Sequence, residues 1–407
     1  MDKTNDNNIK IPKKYINIDN TFKKLCSIPQ YAQRTSEWYE YRKDRITASD
    51  TSTALDLNPY ETIENFIIKK CEGSTFFDNE AMFHGRKYEK IAISIYENLY
   101  NVNVTEFGSL PSDTYTFLGA SPDGICNKTT LDNKGFSKKY GTMIEIKCPP
   151  IRPINIEGNV IGDICPFYYY CQIQQQLLCC NLNICDFWQC KIIEYLNEQE
   201  FLKDKVNTFI TETILDKITN TNNEGIKYIK CNNNILKGAI IQFYPKNFIK
   251  HFDEDNIEWK SIFIYCPNIN ISSSEYKTYI DNTLKNLEIE NKHIYDNYIF
   301  NKVIYWKLVK AHNVSIMKNN NFLYKIIPQL KYTWDEILYY RTNKDKIERI
   351  KKSNDCKMKK AKQNFNYKIY NNLITLHKIK ILNKDISMCN IHNLYSYYNN
   401  NLTNVLL

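Results

Sequence analysis

Apolar positions recur with a helical period through the first hundred residues and alternate more often beyond them. Ser36 is a candidate N-cap, and Trp38, Tyr41 and Arg42 follow it at helix spacing. Thr47-Ala48-Ser49-Asp50 opens a second short helix. Pro59 and Glu61 begin a third, with Ile63, Phe66, Ile67 and Lys70 along one stripe. A longer helix is predicted over 80–100, with Phe83, Tyr88, Ile91, Ala92, Ile95 and Leu99 on its apolar face and Glu89 beside that face. Strands are predicted at 105–110, 117–120, 125–126, 142–148 and 184–195, with a polar loop at 128–140. Between the last two strands, 166–180 reads as a helix carrying Gln172, Gln174, Gln175 and Gln176. This order of elements predicts an α/β (α+β) core with a central mixed sheet flanked by helices.

Residues 196–300 break the rhythm and read as an insertion rich in Asn, Tyr and Ile. Regularity returns with strands at 303–308 and 312–317 and a helix at 333–341. The chain therefore divides into a disordered arm at 1–20, a core at 21–195 and 301–341, the insertion at 196–300, and a Lys- and Asn-rich tail at 342–407.

At 407 residues and 43% hydrophobic composition, the chain can bury a large core. No apolar run approaches the ~20 residues that a bilayer span needs. Met1 to Lys14 is polar, so a soluble intracellular protein with no membrane contact is expected. The 14 cysteines include no C-x-x-C pair in the dense stretch from Cys171 to Cys190, and several sit in apolar runs. Buried reduced thiols are predicted rather than disulfides. The net charge of +9 resides in 342–407, which holds 13 Lys and Arg against 4 Asp and Glu; the rest of the chain is balanced.

Candidate chemistry lies in Ser121-Pro122-Asp123-Gly124 and, 22 positions after Asp123, in Glu145-Ile146-Lys147. Alone, the first is a turn signature and the second the wet face of a strand. On a strand, Glu145 and Lys147 project from one face while Ile144 and Ile146 point to the other. Two carboxylates and an ammonium so placed can hold Mg²⁺ or Mn²⁺ and activate a water for phosphodiester hydrolysis. Asp123 and Glu145 are the candidate ligands, with the Ile146 carbonyl as a third. Glu89 would reach a coordinated water or a second metal.

Six ordered blocks resemble the lambda exonuclease and YqaJ-type viral recombinase family of the PD-(D/E)xK nuclease superfamily. They are Trp38 to Ser49, Gly85 to Glu89, Asn101 to Glu106, Ser121 to Gly124, Glu145 to Pro149, and Tyr169 to Gln174. The resemblance covers about 34–195 and, more faintly, 303–341. It implies a PD-(D/E)xK restriction-endonuclease-like core, with Asp123, Glu145 and Lys147 as the catalytic set, Glu89 as a supporting acid, and Gln172 positioning water or phosphate. It further implies that Arg42 and Ser49 bind a terminal 5′-phosphate, with Ser121 and Arg152 as further phosphate contacts. Arg152 falls one position from the family's arginine, and the insertion at 196–300 has no counterpart in the short phage enzymes. Trp38 and His84 are more readily packing residues than strand contacts.

The resemblance implies a Mg²⁺-dependent 5′-to-3′ exonuclease acting on double-stranded DNA ends in viral recombination or genome processing. A single-strand annealing protein is an implied partner, a homo-oligomeric ring an implied assembly, and the host cytoplasm or a viral replication site the implied location. An endonuclease or RNA-degrading nuclease on the same fold, or a noncatalytic DNA-binding scaffold, are the alternatives. The basic tail would add sequence-independent affinity through counterion release. Deleting 342–407 should therefore weaken DNA binding and flatten its salt dependence; an unchanged slope of log K against log salt refutes that role.

Overall fold

The computed structural model describes residues 9–31, 35–73, 79–204, 212–219, 224–230, 236–248, 260–269 and 271–351. Nearly all of the predicted tail, at 352–407, lies outside the described residues, as do residues 1–8 of the predicted arm.

The arm ends earlier than its polarity implied, because helix α1 (Ile16–Ser27) occupies its last part. Phe22 and Leu25 bury one face of α1, and Asp19 is held by Lys23 at 2.6 Å and by the Tyr140 hydroxyl at 2.9 Å. Helix α2 (Ser36–Lys43) is capped by Thr35, whose side chain accepts from the Trp38 N–H; the cap is therefore one residue earlier than Ser36. Strand β1 (Ile46–Thr47), a 3₁₀ turn and helix α3 (Thr51–Ala54) follow, then α4 (Ile63–Glu72) and the long α5 (Glu80–Tyr100).

The strand expected at 105–110 is split into β2 (Val104–Thr105) and β3 (Leu110–Pro111). Between them the chain closes on α1's exit, where Gly108 N–H donates to Gln30 at 2.6 Å. Then come β4 (Leu118–Ala120), β5 (Gly124–Cys126), β6 (Met143–Lys147), α6 (Phe167–Cys179) and β7 (Ile184–Glu194). The insertion supplies α7 (Glu198–Lys203), β8 (Glu212–Thr219), β9 (Glu224–Lys230), β10 (Lys237–Pro245), β11 (Ile262–Tyr265), α8 (Ser273–Lys285), α9 (Leu287–Glu290) and α10 (Lys292–Asn297). Strand β12 (Tyr298–Met317) and helix α11 (Asn320–Thr342) follow, and Ile350 beyond them also joins the core.

The main sheet runs β11-β10-β12-β7-β6-β5-β2, with β9 also paired to β12 and β8 to β9. The pair β6–β7, joined through α6, is parallel, whereas β5–β6 and β7–β12 are antiparallel. A small second sheet, β1-β4-β3, pairs β1 and β4 in parallel. The insertion does not stand apart: β10 and β11 extend the same sheet, and α8 covers them through Tyr276 and Ile280 in a core with Ile241 and Phe243.

The two strands expected at 303–308 and 312–317 are one strand with a bulge between Leu308 and Lys310. Val309 is the extra residue, half exposed, and it lets Leu308 and Ala311 both face the same core. The break in alternation that looked like a turn is this bulge. Likewise α11 begins at Asn320, not near 333; Pro328 lies inside the helix and interrupts its pattern.

Strand alternation places two further cores on opposite faces of the central strands. Ile144, Ile146, Trp188 and Cys190 face α5, packing with Tyr88, Ile91 and Ile95. Met143, Cys185 and Phe187 face α6, with Ile173 and Leu177.

Asp186 is fully buried on the α5 side of β7. It accepts from Tyr96 at 2.6 Å, Ser315 at 2.6 Å, Asn313 at 3.0 Å and from the Lys139 ammonium. Burial alone would raise its carboxyl, but Lys139 and the hydroxyl donors outweigh that and hold it below the ordinary value of 3.8. A depressed folded pKa contributes stability above the unfolded pKa and loses it as pH falls through the folded value. Urea midpoints between pH 3 and 7 should thus drop steeply at the acid end in the native chain. Asp186→Asn should be less stable at pH 7 and show a flatter acid limb; a limb identical to the native one would refute the role.

Candidate active site

Asp123 sits where the chain passes from the small sheet to the large one. The Pro-Asp-Gly segment is a crossing between β4 and β5, not the tip of a hairpin within one sheet. Gly124 is required by close approach: a Cβ there would lie 2.4 Å from Val104 Cγ1. The carboxylate of Asp123 accepts the Ile146 N–H at 2.6 Å, which pins the crossing to β6.

Glu145 faces α6 and is completely buried. One oxygen accepts from Gln172 at 2.7 Å and from the Lys147 ammonium; the other accepts from Gln176 at 2.7 Å. Gln176 also donates to the Ser121 carbonyl at 3.3 Å, so one amide bridges the two predicted motifs. Burial alone would depress the Lys147 ammonium, but Glu145, Tyr169 and Asp123 beside it hold it above its ordinary value. Asp123 is shifted upward as well, toward its protonated form. Burial and the negative charges of Glu145 and Glu89 raise it well above 3.8, against the opposing pull of Lys147 and the Ile146 N–H. Glu89, reaching in from α5, is thus within electrostatic range of Asp123.

Arg42 and Ser49 come together, with a guanidinium N–H donating to Ser49 Oγ at 3.1 Å. Arg42 also lies 4.4 Å from the Trp38 ring centroid, so Trp38 supports the arginine. Lys70 pairs with Asp50 at 3.0 Å and donates to the carbonyls of Arg42 and Arg45, each at 2.8 Å, which fixes the turn beneath them. Because β1 and β4 are parallel, Ser49 and Ser121 leave their strands at the same end. Ser121 Oγ donates to Ser109 at 3.1 Å. Arg152 donates to Gln189 at 2.9 Å, and Gln189 is the β7 partner of Lys147, which brings Arg152 to the edge of the site. His84 packs on Tyr88, and burial pushes its imidazole down to about 4, so it is neutral at pH 7.

Two contributors are absent from the predicted set. Gln176 was legible only as one of several glutamines in an apolar helix, and Tyr169, whose ring lies 4.6 Å from the Lys147 ammonium, gave no polar signal.

The donor set fits a hard divalent cation. Burial first, and then the negative charges of Glu145 and Glu89, raise Asp123 against the single ammonium of Lys147, and a bound cation would relieve both. Among the described residues no three His, Cys, Asp or Glu side chains converge as a ready-made metal centre. Asp123, Glu145 and the Ile146 carbonyl offer oxygen donors of the kind Mg²⁺ takes.

The mixed sheet thus presents Asp123 at a crossing loop before β5 and Glu145-Ile146-Lys147 on the neighbouring β6, with α6 reaching both, an arrangement in keeping with the PD-(D/E)xK core that the motifs resemble. Residues 37–183 match the model of the YqaJ-like viral recombinase domain. Over 337 residues the chain is 34% identical to uncharacterized protein R354 of Acanthamoeba polyphaga mimivirus, a match covering 83% of this chain and 58% of that protein. Protein D345L of African swine fever virus is 28% identical over 167 residues, covering 36% of this chain and 45% of that protein. The chain thus spans about half the length of these relatives. Crystal structures of LHK-Exo, an alkaline exonuclease from Laribacter hongkongensis, are 25% identical with a TM-score of 0.29. The match to its complex with dAMP covers 38% of this chain and 73% of that one. Among the described residues no helix is long and apolar enough to cross a membrane.

Removing the ammonium tests the electrostatics of the site directly. Lys147→Met leaves the Glu145 carboxylate buried without its countercharge, which should cost about 3–5 kcal/mol. The measurement is a lowered urea midpoint at unchanged m; an unaltered midpoint would contradict the pairing.

Proposed function

We propose that the chain is a metal-dependent DNA exonuclease that hydrolyses phosphodiester bonds from double-stranded ends, 5′ to 3′, in viral recombination or genome processing. The observation that carries this reading is the buried Glu145, tied to Lys147 and bridged by Gln176 to the loop bearing Asp123.

Asp123, Glu145 and the Ile146 carbonyl would hold Mg²⁺ or Mn²⁺, which when bound supplies an acidified water and neutralises charge on the phosphate. Lys147 keeps its proton at neutral pH and stabilises negative charge developing on the phosphorus oxygens. Gln172 and Gln176 orient Glu145 so that its charge faces one direction. Glu89 adds a third negative charge beside Asp123. Arg42 and Ser49 offer a guanidinium and a hydroxyl to a terminal 5′-phosphate, and Ser121 and Arg152 offer further donors along the strand. Duplex ends are the proposed partner. An annealing protein and a homo-oligomeric ring stand as family analogies.

Purified chain with Mg²⁺ or Mn²⁺ should shorten end-labelled linear duplex and spare circular DNA and RNA. Asp123→Ala should reduce this to background. Arg42→Ala should erase any preference for 5′-phosphorylated over 5′-hydroxyl ends, a change of about tenfold or more in kcat/KM. Rapid loss of circular DNA points to an endonuclease, preferential loss of RNA to a ribonuclease, and DNA binding without hydrolysis in either metal to a scaffold.

A further inference from the structure

We propose that Tyr60, Tyr168 and Tyr169 form a stacking strip that receives unpaired bases of the DNA strand lying beside Lys147. The inference rests on the nuclease reading and specifies how that site grips its strand.

The strip begins at the site. The Lys147 ammonium lies 4.6 Å from the Tyr169 ring centroid, and the Arg152 guanidinium lies 5.9 Å from the same ring. Tyr168 meets Tyr169 at 4.3 Å between centroids, and Tyr60 meets Tyr168 edge to face at 5.7 Å. Three rings from two separate segments thus lead from the ammonium to the surface, where Tyr60 is 76% exposed.

Tyr60 is held in place there. Its N–H donates to Asn58 Oδ1 at 3.0 Å, and Asn58 Nδ2 donates to Thr53 at 2.7 Å in the buried helix α3. A large ring fixed by its backbone yet left in water contributes little to the core. Cations at the inner end match phosphates, and ring faces along the strip match bases of any sequence, the combination that grips single strands. The occupant that fits both is a nucleic-acid strand with its bases unpaired.

The test is fluorescence anisotropy of a labelled single-stranded oligodeoxynucleotide in EDTA, where no hydrolysis is needed. The native chain should bind a base-bearing strand about tenfold more tightly than an abasic strand of equal length. Tyr60→Ala should lose that factor on the base-bearing strand and be unchanged on the abasic one, while Tyr60→Trp retains it. An unchanged urea midpoint checks that the exposed substitution leaves the fold intact. Equal weakening on both strands, or no weakening on either, overturns the strip. Hydrolysis of duplex ends is scored separately: its absence in the native chain overturns the nuclease reading, while the comparison of base-bearing with abasic strands decides the strip either way.

Discussion

A buried carboxylate cannot stand alone in a protein interior, and Glu145 is fully buried. Its partners are Lys147 and two glutamines of α6, so satisfying this one charge positions a helix against a strand. The same helix then carries the rest of the assembly. Gln174, Gln175 and Gln176 are consecutive and wholly buried, and successive helix positions point about 100° apart. Gln174 binds the Met317 carbonyl and the Asn319 N–H, tying in the end of β12 and the start of α11. Gln175 binds the carbonyls of Ile46 and Gly119 and accepts from Thr51, tying in β1, β4 and α3. Gln176 reaches Glu145 and the Ser121 carbonyl.

This arrangement explains how distant segments share one site. Arg42 and Ser49 precede Glu145 by about a hundred residues, yet β1 is docked on α6 by Gln175 one position before the glutamine that holds Glu145. The phosphate-binding candidates and the candidate metal ligands are therefore registered by a single helical turn. The opposite face of the sheet has its own buried charge, Asp186, satisfied by Lys139, Tyr96, Asn313 and Ser315. The two buried carboxylates lie on adjacent parallel strands and face opposite cores.

The elements most legible in the sequence were those with a strong period and clean ends. The helix at 80–100 and the strand at 184–194 match their predicted bounds closely, since α5 has an Asn79 cap and β7 is rich in aromatic and β-branched residues. The pattern failed where packing overrode it. The bulge at Val309 imitates a turn, Pro328 imitates a helix end, and a largely polar α1 is held by Phe22, Leu25 and the buried Asp19. The insertion offered no period that revealed its sheet, because β10 pairs with β12 across more than fifty residues.

Which residue types gather, and in what order, was set by the sequence itself. Alternation alone puts Glu145 and Lys147 on one strand face and Ile144 and Ile146 on the other. Pro-Asp-Gly alone marks a sharp change of direction. Only the tertiary structure decided which face became which: α6 supplies amides where Glu145 points, and α5 supplies apolar side chains where Ile146 points. It also decided that Tyr60 and Tyr168, more than a hundred positions apart, meet next to Tyr169, the ring that Lys147 faces. The physical reason is that local pattern governs the direction of a side chain relative to its own backbone, while the partner it meets depends on contacts made through space.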